Sequence, residues 1–165
     1  MLRLASDWPP SVETSLSFGY KDANRSTSTG REQVSKRVLI LGIGNVLWAD
    51  EGFGVRCVEA MAASHSLPQQ VRLLDGGTQG LYLLPFLEEC DALIVFDAID
   101  YGLPAGELKI VRDADVPAFL GAKKMSLHQT GFQDVIATSE LMGYRPAQMV
   151  LIGCQPVELD DYGGG

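Results

Sequence analysis

Read from its N-terminus, the chain shows no lasting alternation of apolar and polar positions until Arg37, and from there the pattern is sharp. Val38-Leu39-Ile40-Leu41, ending at Gly42, is a short unbroken apolar run, which predicts a strand buried on both faces. After the turn from Gly42 to Asp50, Val55, Val58, Met61 and Ala62 fall at helical spacing. Val71-Arg72-Leu73-Leu74 predicts a second strand, closed by Asp75-Gly76-Gly77. Leu81, Leu84 and Leu87 predict a second helix, in which Pro85 is an awkward interior residue. Ala92 to Phe96 predicts a third buried strand ending at Asp97. Glu107 to Arg112 alternates polar and apolar, as an edge strand does. Phe132, Val135, Ile136 and Ser139 predict one face of a third helix, stopped by Gly143 and Pro146. Met149 to Gly153 predicts a last strand. Strands alternating with helices give the fold class: α/β, three-layer, a mainly parallel twisted sheet with helices on both faces.

Composition refines this picture at the N-terminus. Residues 1–36 are dominated by Ser, Thr, Asp, Lys and Arg, and such a segment buries too little to offset its ordering entropy. It reads as a polar, disordered N-terminal extension, with residues 37–165 forming the α/β domain. The formal charge of −8, with no basic stripe, argues against nucleic acid as a partner. No apolar run reaches the roughly 20 residues of a membrane span, and no basic-then-apolar export signal opens the chain. Cys57, Cys90 and Cys154 form no CxxC pair, so neither a disulfide framework nor a zinc knuckle is implied. The expected setting is cytoplasmic.

In open α/β sheets ligands gather beyond the carboxyl ends of the strands. That rule selects the turn after Leu41, the Asp75-Gly76-Gly77-Thr78 turn, and Asp97-Ala98-Ile99-Asp100. Glu51 then falls near the start of the first helix, Asp97 at the tip of a central strand, and His128 in the loop just before the third helix. Two carboxylates and an imidazole suit nickel or zinc and leave room for outside ligands. Each residue also has a plainer explanation. An acid in a first helical turn is stabilised by the helix dipole, Asp50 has the character of an N-cap, and a lone His128 is more often a loop or core histidine. Gly52 and Gly54, poor first-turn residues, tilt Glu51 toward function. His65 follows the first helix in a polar stretch and reads as solvated. A dinucleotide site at Gly42-Ile43-Gly44-Asn45 is the rival, but Leu47 stands where its third glycine belongs and Glu51 would oppose a pyrophosphate.

Five segments in order carry a resemblance: Gly42 to Arg56, Asp75 to Gly80, Asp97 to Asp100, Ser126 to Gly131, and Leu151 to Pro156. Together they resemble the nickel–iron hydrogenase maturation endopeptidases, and Met125 to Gln133 with the Gln155-to-Gly163 ending is most similar to the branch serving membrane-bound uptake hydrogenases. The resemblance implies that Glu51, Asp97 and His128 bind metal. It implies an activity that cuts a short C-terminal extension from the hydrogenase large-subunit precursor once nickel is in place. The nickel read is then the precursor's own, its cysteine thiolates completing the ligand set, with zinc or cadmium able to substitute. Asp75, Gly76, Gly77 and Thr78 are the expected place for the precursor's tail.

For bond cleavage, no Ser–His–Asp arrangement is available, and Cys57, Cys90 and Cys154 lie in apolar sequence surroundings and read as core residues, not nucleophiles. That leaves water, activated by a carboxylate such as Asp97 or polarised by nickel. The family pattern continues into a long C-terminal helix, whereas the sequence stops at Gly163-Gly164-Gly165. The sequence reading therefore expects an exposed apolar patch there.

Overall fold

The structure, a computed structural model, describes residues 36–64, 66–117, 127–157 and 159, and for 127–130 the backbone alone. The N-terminal extension, His65 and the C-terminal end fall outside the described residues.

Five strands form one sheet in the order β2-β1-β3-β5-β4. They are β1 (Val38–Ile43), β2 (Val71–Gly77), β3 (Ala92–Ala98), β4 (Leu108–Arg112) and β5 (Gln148–Cys154). β1, β2, β3 and β5 run parallel, and β4 closes the edge antiparallel to β5. Among the described residues the helices α1 (Phe53–Ser64), α2 (Leu84–Glu88) and α3 (Leu127–Leu141) accompany them. Two short 3-10 turns, Ala49–Gly52 and Gly80–Leu83, lead into α1 and α2. The α/β architecture expected from the periodicity is the one found.

Strand alternation divides the sheet into two faces. Leu39, Leu41 and Ile43 of β1, Leu93 and Val95 of β3, and Met149 and Leu151 of β5 are buried in one continuous core. Leu83, Phe86 and Leu87 cover it from α2 and the turn before it. Phe132, Val135 and Ile136 cover it from α3, on the face the spacing predicts. The opposite face receives α1, whose Val55 and Val58 are buried while Ala62 is exposed. The contact is backbone on backbone: a Cβ on Gly42 would overlap the Gly54 carbonyl, and one on Gly54 would overlap the carbonyls of Ile43 and Phe96.

Three expectations need correction. Pro85 is no interior breaker; it sits at the start of α2, where a missing N–H costs nothing. Leu81 is exposed, because the segment from Gly80 begins as a 3-10 turn and a different face is buried. Asp75-Gly76-Gly77 belongs to β2 and does not close it. β4 is an edge strand, as the alternation predicts, with Leu108 and Ile110 61% and 54% exposed and Val111 the buried residue. β4 lies at the far edge from β2, and α1 packs on β1, β2 and β3.

Glycine is about 1 kcal/mol less favourable than alanine inside a helix, so Gly54→Ala would raise stability if local propensity governed. We expect the reverse: overpacking against two backbone carbonyls should cost about 1–3 kcal/mol. Denaturant unfolding checks this, and a Gly54→Ala midpoint at or above wild type would show that α1 does not rest on the strand ends.

Candidate functional site

The strand order reverses between β1 and β3: α1 carries the chain from β1 outward to β2, and α2 returns it on the other face to β3. Loops leave such a switch point in opposite directions and open a crevice at the carboxyl ends of the two strands. The Glu51 loop follows β1, and Asp97 is the penultimate residue of β3.

The loop after β1 is folded tightly. Asn45 Oδ1 accepts from Leu47 N at 3.0 Å, Trp48 N donates to the Asn45 carbonyl at 3.1 Å, and Glu51 N donates to the Trp48 carbonyl at 2.9 Å. Gly44, at φ 132°, lies directly under the Glu51 carbonyl, where any Cβ would collide. Three residues on, Gly54 rests against the Phe96 carbonyl, immediately before Asp97. The glycines that looked misplaced in a helical first turn thus bring the half-buried Glu51 segment against the end of β3. Asp50 caps nothing here: the 3-10 turn begins after Trp48, and Asp50 Oδ2 instead accepts Val157 N at 2.7 Å, tying the loop to the segment after β5.

Asp97 is 2% exposed. It continues the row of Leu93 and Val95 toward the layer of α2 and α3, and it pairs in register with Gly153 of β5. A carboxylate so buried in a strand end is costly unless something there uses it. His128 lies in the first turn of α3 and not in the preceding loop, because that helix already begins at Leu127. Its backbone is placed at the same edge, since Gly131, one turn on, lies 3.7 Å (counted from a Cβ it lacks) from Gly80 Cα in the turn after β2. The His128 side chain lies outside the described residues. Among the described residues no three His, Cys, Asp or Glu side chains group as a metal site. Glu51 and Asp97 lie on elements packed against each other at this edge.

In the Asp75–Thr78 segment, Asp75 Oδ1 accepts Gly77 N at 2.9 Å, and Gly77 O accepts Gly44 N at 3.0 Å, joining the two glycine turns. Asp75 and Thr78 are exposed at the edge. Gly76 is buried, and a Cβ there would meet Leu41 Cδ1 at 2.7 Å, so its lack of a side chain serves internal packing.

Cys90 is a core residue, as expected; burial, with the charge of Asp91 adding, pushes its thiol up to about 12. Cys57 and Cys154 are only half-buried, which corrects their reading as core residues. Burial raises both, helped at Cys57 by Cys154 and at Cys154 by Asp50. None has the depressed pKa of a thiolate nucleophile. A depression of about 330 Å³ lined by Ala49, Asp50, Phe53, Arg56, Cys57 and Ala60 lies on the α1 flank, and Asp97 does not line it. Tyr101 and Gln155, which the sequence reading passed over, stand close to Asp97 and are treated below. The signal that could have found Gln155 is a polar residue directly after the apolar run of β5.

A family model described as hydrogenase maturation protease matches residues 55–165. The chain is 78% identical over 129 residues to hydrogenase expression/formation protein HupD of Rhodobacter capsulatus, covering 78% of this chain and 61% of that protein. It is 43% identical over 129 residues to hydrogenase 2 maturation protease of Escherichia coli, covering 78% of each. Among solved structures, the hydrogenase maturating endopeptidase HybD from Escherichia coli superimposes with a TM-score of 0.72 at 41% identity, covering 78% of this chain and 79% of that one. The chain thus spans about three fifths of the length of the Rhodobacter relative.

The thiol environments give a direct test. Alkylation of the folded protein at pH 8 should label Cys57 and Cys154 slowly and leave Cys90 unmodified until denaturant is added. Labelling of Cys90 at the rate of the other two would contradict its burial.

Proposed function

The chain belongs to the hydrogenase maturation protease family, and from that premise we propose that it is an endopeptidase acting in the cytoplasm on the precursor of a nickel–iron hydrogenase large subunit. It removes the C-terminal extension after nickel has been inserted. The observation that carries this reading is the buried Asp97 at the switch point, with the Glu51 turn pressed against the same strand end.

In this reading nickel arrives as part of the substrate. Glu51, Asp97 and His128 offer it two carboxylate oxygens and an imidazole nitrogen, and the precursor keeps the remaining ligands. Zinc or cadmium can take the same place. A protein ligand set that is incomplete by itself makes recognition conditional on a loaded precursor. The tail then lies along the exposed Asp75 and Thr78, with the apolar Leu47, Trp48, Leu81 and Tyr82, all exposed on the loops after β1 and β2, facing the precursor's body.

Cleavage adds a water oxygen to the scissile carbonyl carbon, breaks the carbon–nitrogen bond, and returns a proton to the leaving nitrogen. Asp97 is the carboxylate assigned to take the proton from the water and pass it on.

The test is cleavage of purified precursor followed by mass. Nickel-loaded precursor should shorten, and nickel-free precursor should survive with the protease in excess. Cutting of both at comparable rates would place recognition in the tail, and binding without any cutting would make the protein a chaperone. Asp97→Asn should slow cleavage about 10²–10⁴-fold; a smaller loss would mean that the proton is taken elsewhere.

A further inference from the structure

A polar cluster beyond the two carboxylates borders this site. Gln155, the first residue after β5, is 8% exposed. Its Oε1 accepts Tyr101 N at 2.7 Å and Leu103 N at 3.1 Å, and its Nε2 donates to Asp100 Oδ1 at 3.0 Å and to the Pro156 carbonyl at 3.4 Å. Its backbone joins the far side of the same loop: Gln155 N donates to the Glu107 carbonyl and its carbonyl accepts Gly106 N, each at 2.8 Å. Asp100 Oδ1 also accepts Gly102 N at 2.9 Å. Gln155 therefore holds the start of the 100–106 loop with its side-chain amide and the end of it with its backbone, and the loop begins three residues after Asp97.

The loop delivers Tyr101 to a defined place. Its hydroxyl lies directly over Gly153, where any Cβ would overlap it. Gly153 is the register partner of Asp97 on one side and of Lys109 on the other. Lys109 Nζ stands 5.1 Å from the centre of the Tyr101 ring, and the ring packs on the same core that Asp97 borders. The row Asp97, Gly153, Lys109 thus leaves a slot at its middle, and Tyr101 fills it.

We propose that Gln155 is a positioning residue of the Asp97 site, acting by holding the Tyr101 hydroxyl over Gly153 beside the carboxylate. The assignment rests on the reading of Asp97 as the residue at which the precursor is cut. An amide suits the position because it accepts from two backbone N–H groups and donates to a carboxylate at once. A carboxylate at 155 would keep the acceptors and repel Asp100.

The full chain and nickel-loaded precursor provide the test, with kcat and KM measured separately and folding followed by thermal melting. Gln155→Glu should lower kcat about 10–100-fold, the usual effect of removing a group that orients a site residue, with KM little changed. The double variant Gln155→Glu, Asp100→Asn restores a donor opposite the new carboxylate and should regain most of kcat. Tyr101→Phe removes only the hydroxyl and should lower kcat at an unchanged melting temperature. A folded Gln155→Glu cutting at the wild-type rate, failure of the double variant to recover, or a fully active Tyr101→Phe would each overturn the assignment while leaving the function intact. If wild type does not cut the precursor, the reading of the site fails and this assignment falls with it.

Discussion

The arrangement depends on a contact between backbones. Gly54 of α1 lies against the carbonyls of Ile43 and Phe96, and Gly42 of β1 lies under Gly54. No side chain separates the helix from the sheet at this point, so the helix start is set down on the ends of β1 and β3 together. That constraint fixes where the preceding 3-10 turn can lie, and Gly44 admits the Glu51 carbonyl to the remaining space. The separation of Glu51 from Asp97 is thereby governed by packing between rigid elements and not by a flexible loop, which is what a site must have to hold its groups in place.

The other layer has the complementary task. Its core, from Leu39 to Leu151 through α2 and α3, is continuous and apolar, and Asp97 emerges at its upper margin with little access to water. The Asp75 turn is stitched to the Gly44 turn by a backbone hydrogen bond, and the Asp50 carboxylate holds the segment after β5. Segments following β1, β2 and β5 are thus linked around one edge.

Much of this was legible in the sequence, and the reasons are physical. Unbroken runs such as Val38 to Leu41 and Ala92 to Phe96 can only be strands covered on both faces, and the α3 spacing of Phe132, Val135, Ile136 and Ser139 gives its buried face directly. Glu51 and Asp97 could be placed because a parallel sheet puts its ligand edge at the carboxyl ends of its strands. Local patterns failed where tertiary contacts decide. Leu81 falls at helical spacing with Leu84 and Leu87, yet the segment from Gly80 begins as a 3-10 turn and leaves it exposed. Asp50 has the chemistry of a cap, yet its partner is Val157, a hundred residues away. Tyr101 gave no signal of its own, and Gln155 only that of a polar residue closing the apolar run of β5, since the slot they serve exists only when Asp97, Gly153 and Lys109 are brought into register.

The central claim is that Glu51 and Asp97, far apart in sequence, form one cation-binding edge. Cadmium titrated into the purified chain by calorimetry tests it most directly, alongside Glu51→Gln and Asp97→Asn. The account predicts one ion per chain, with either substitution lowering affinity at least about tenfold. Wild-type affinity in both variants would contradict it, whatever the precursor assay showed.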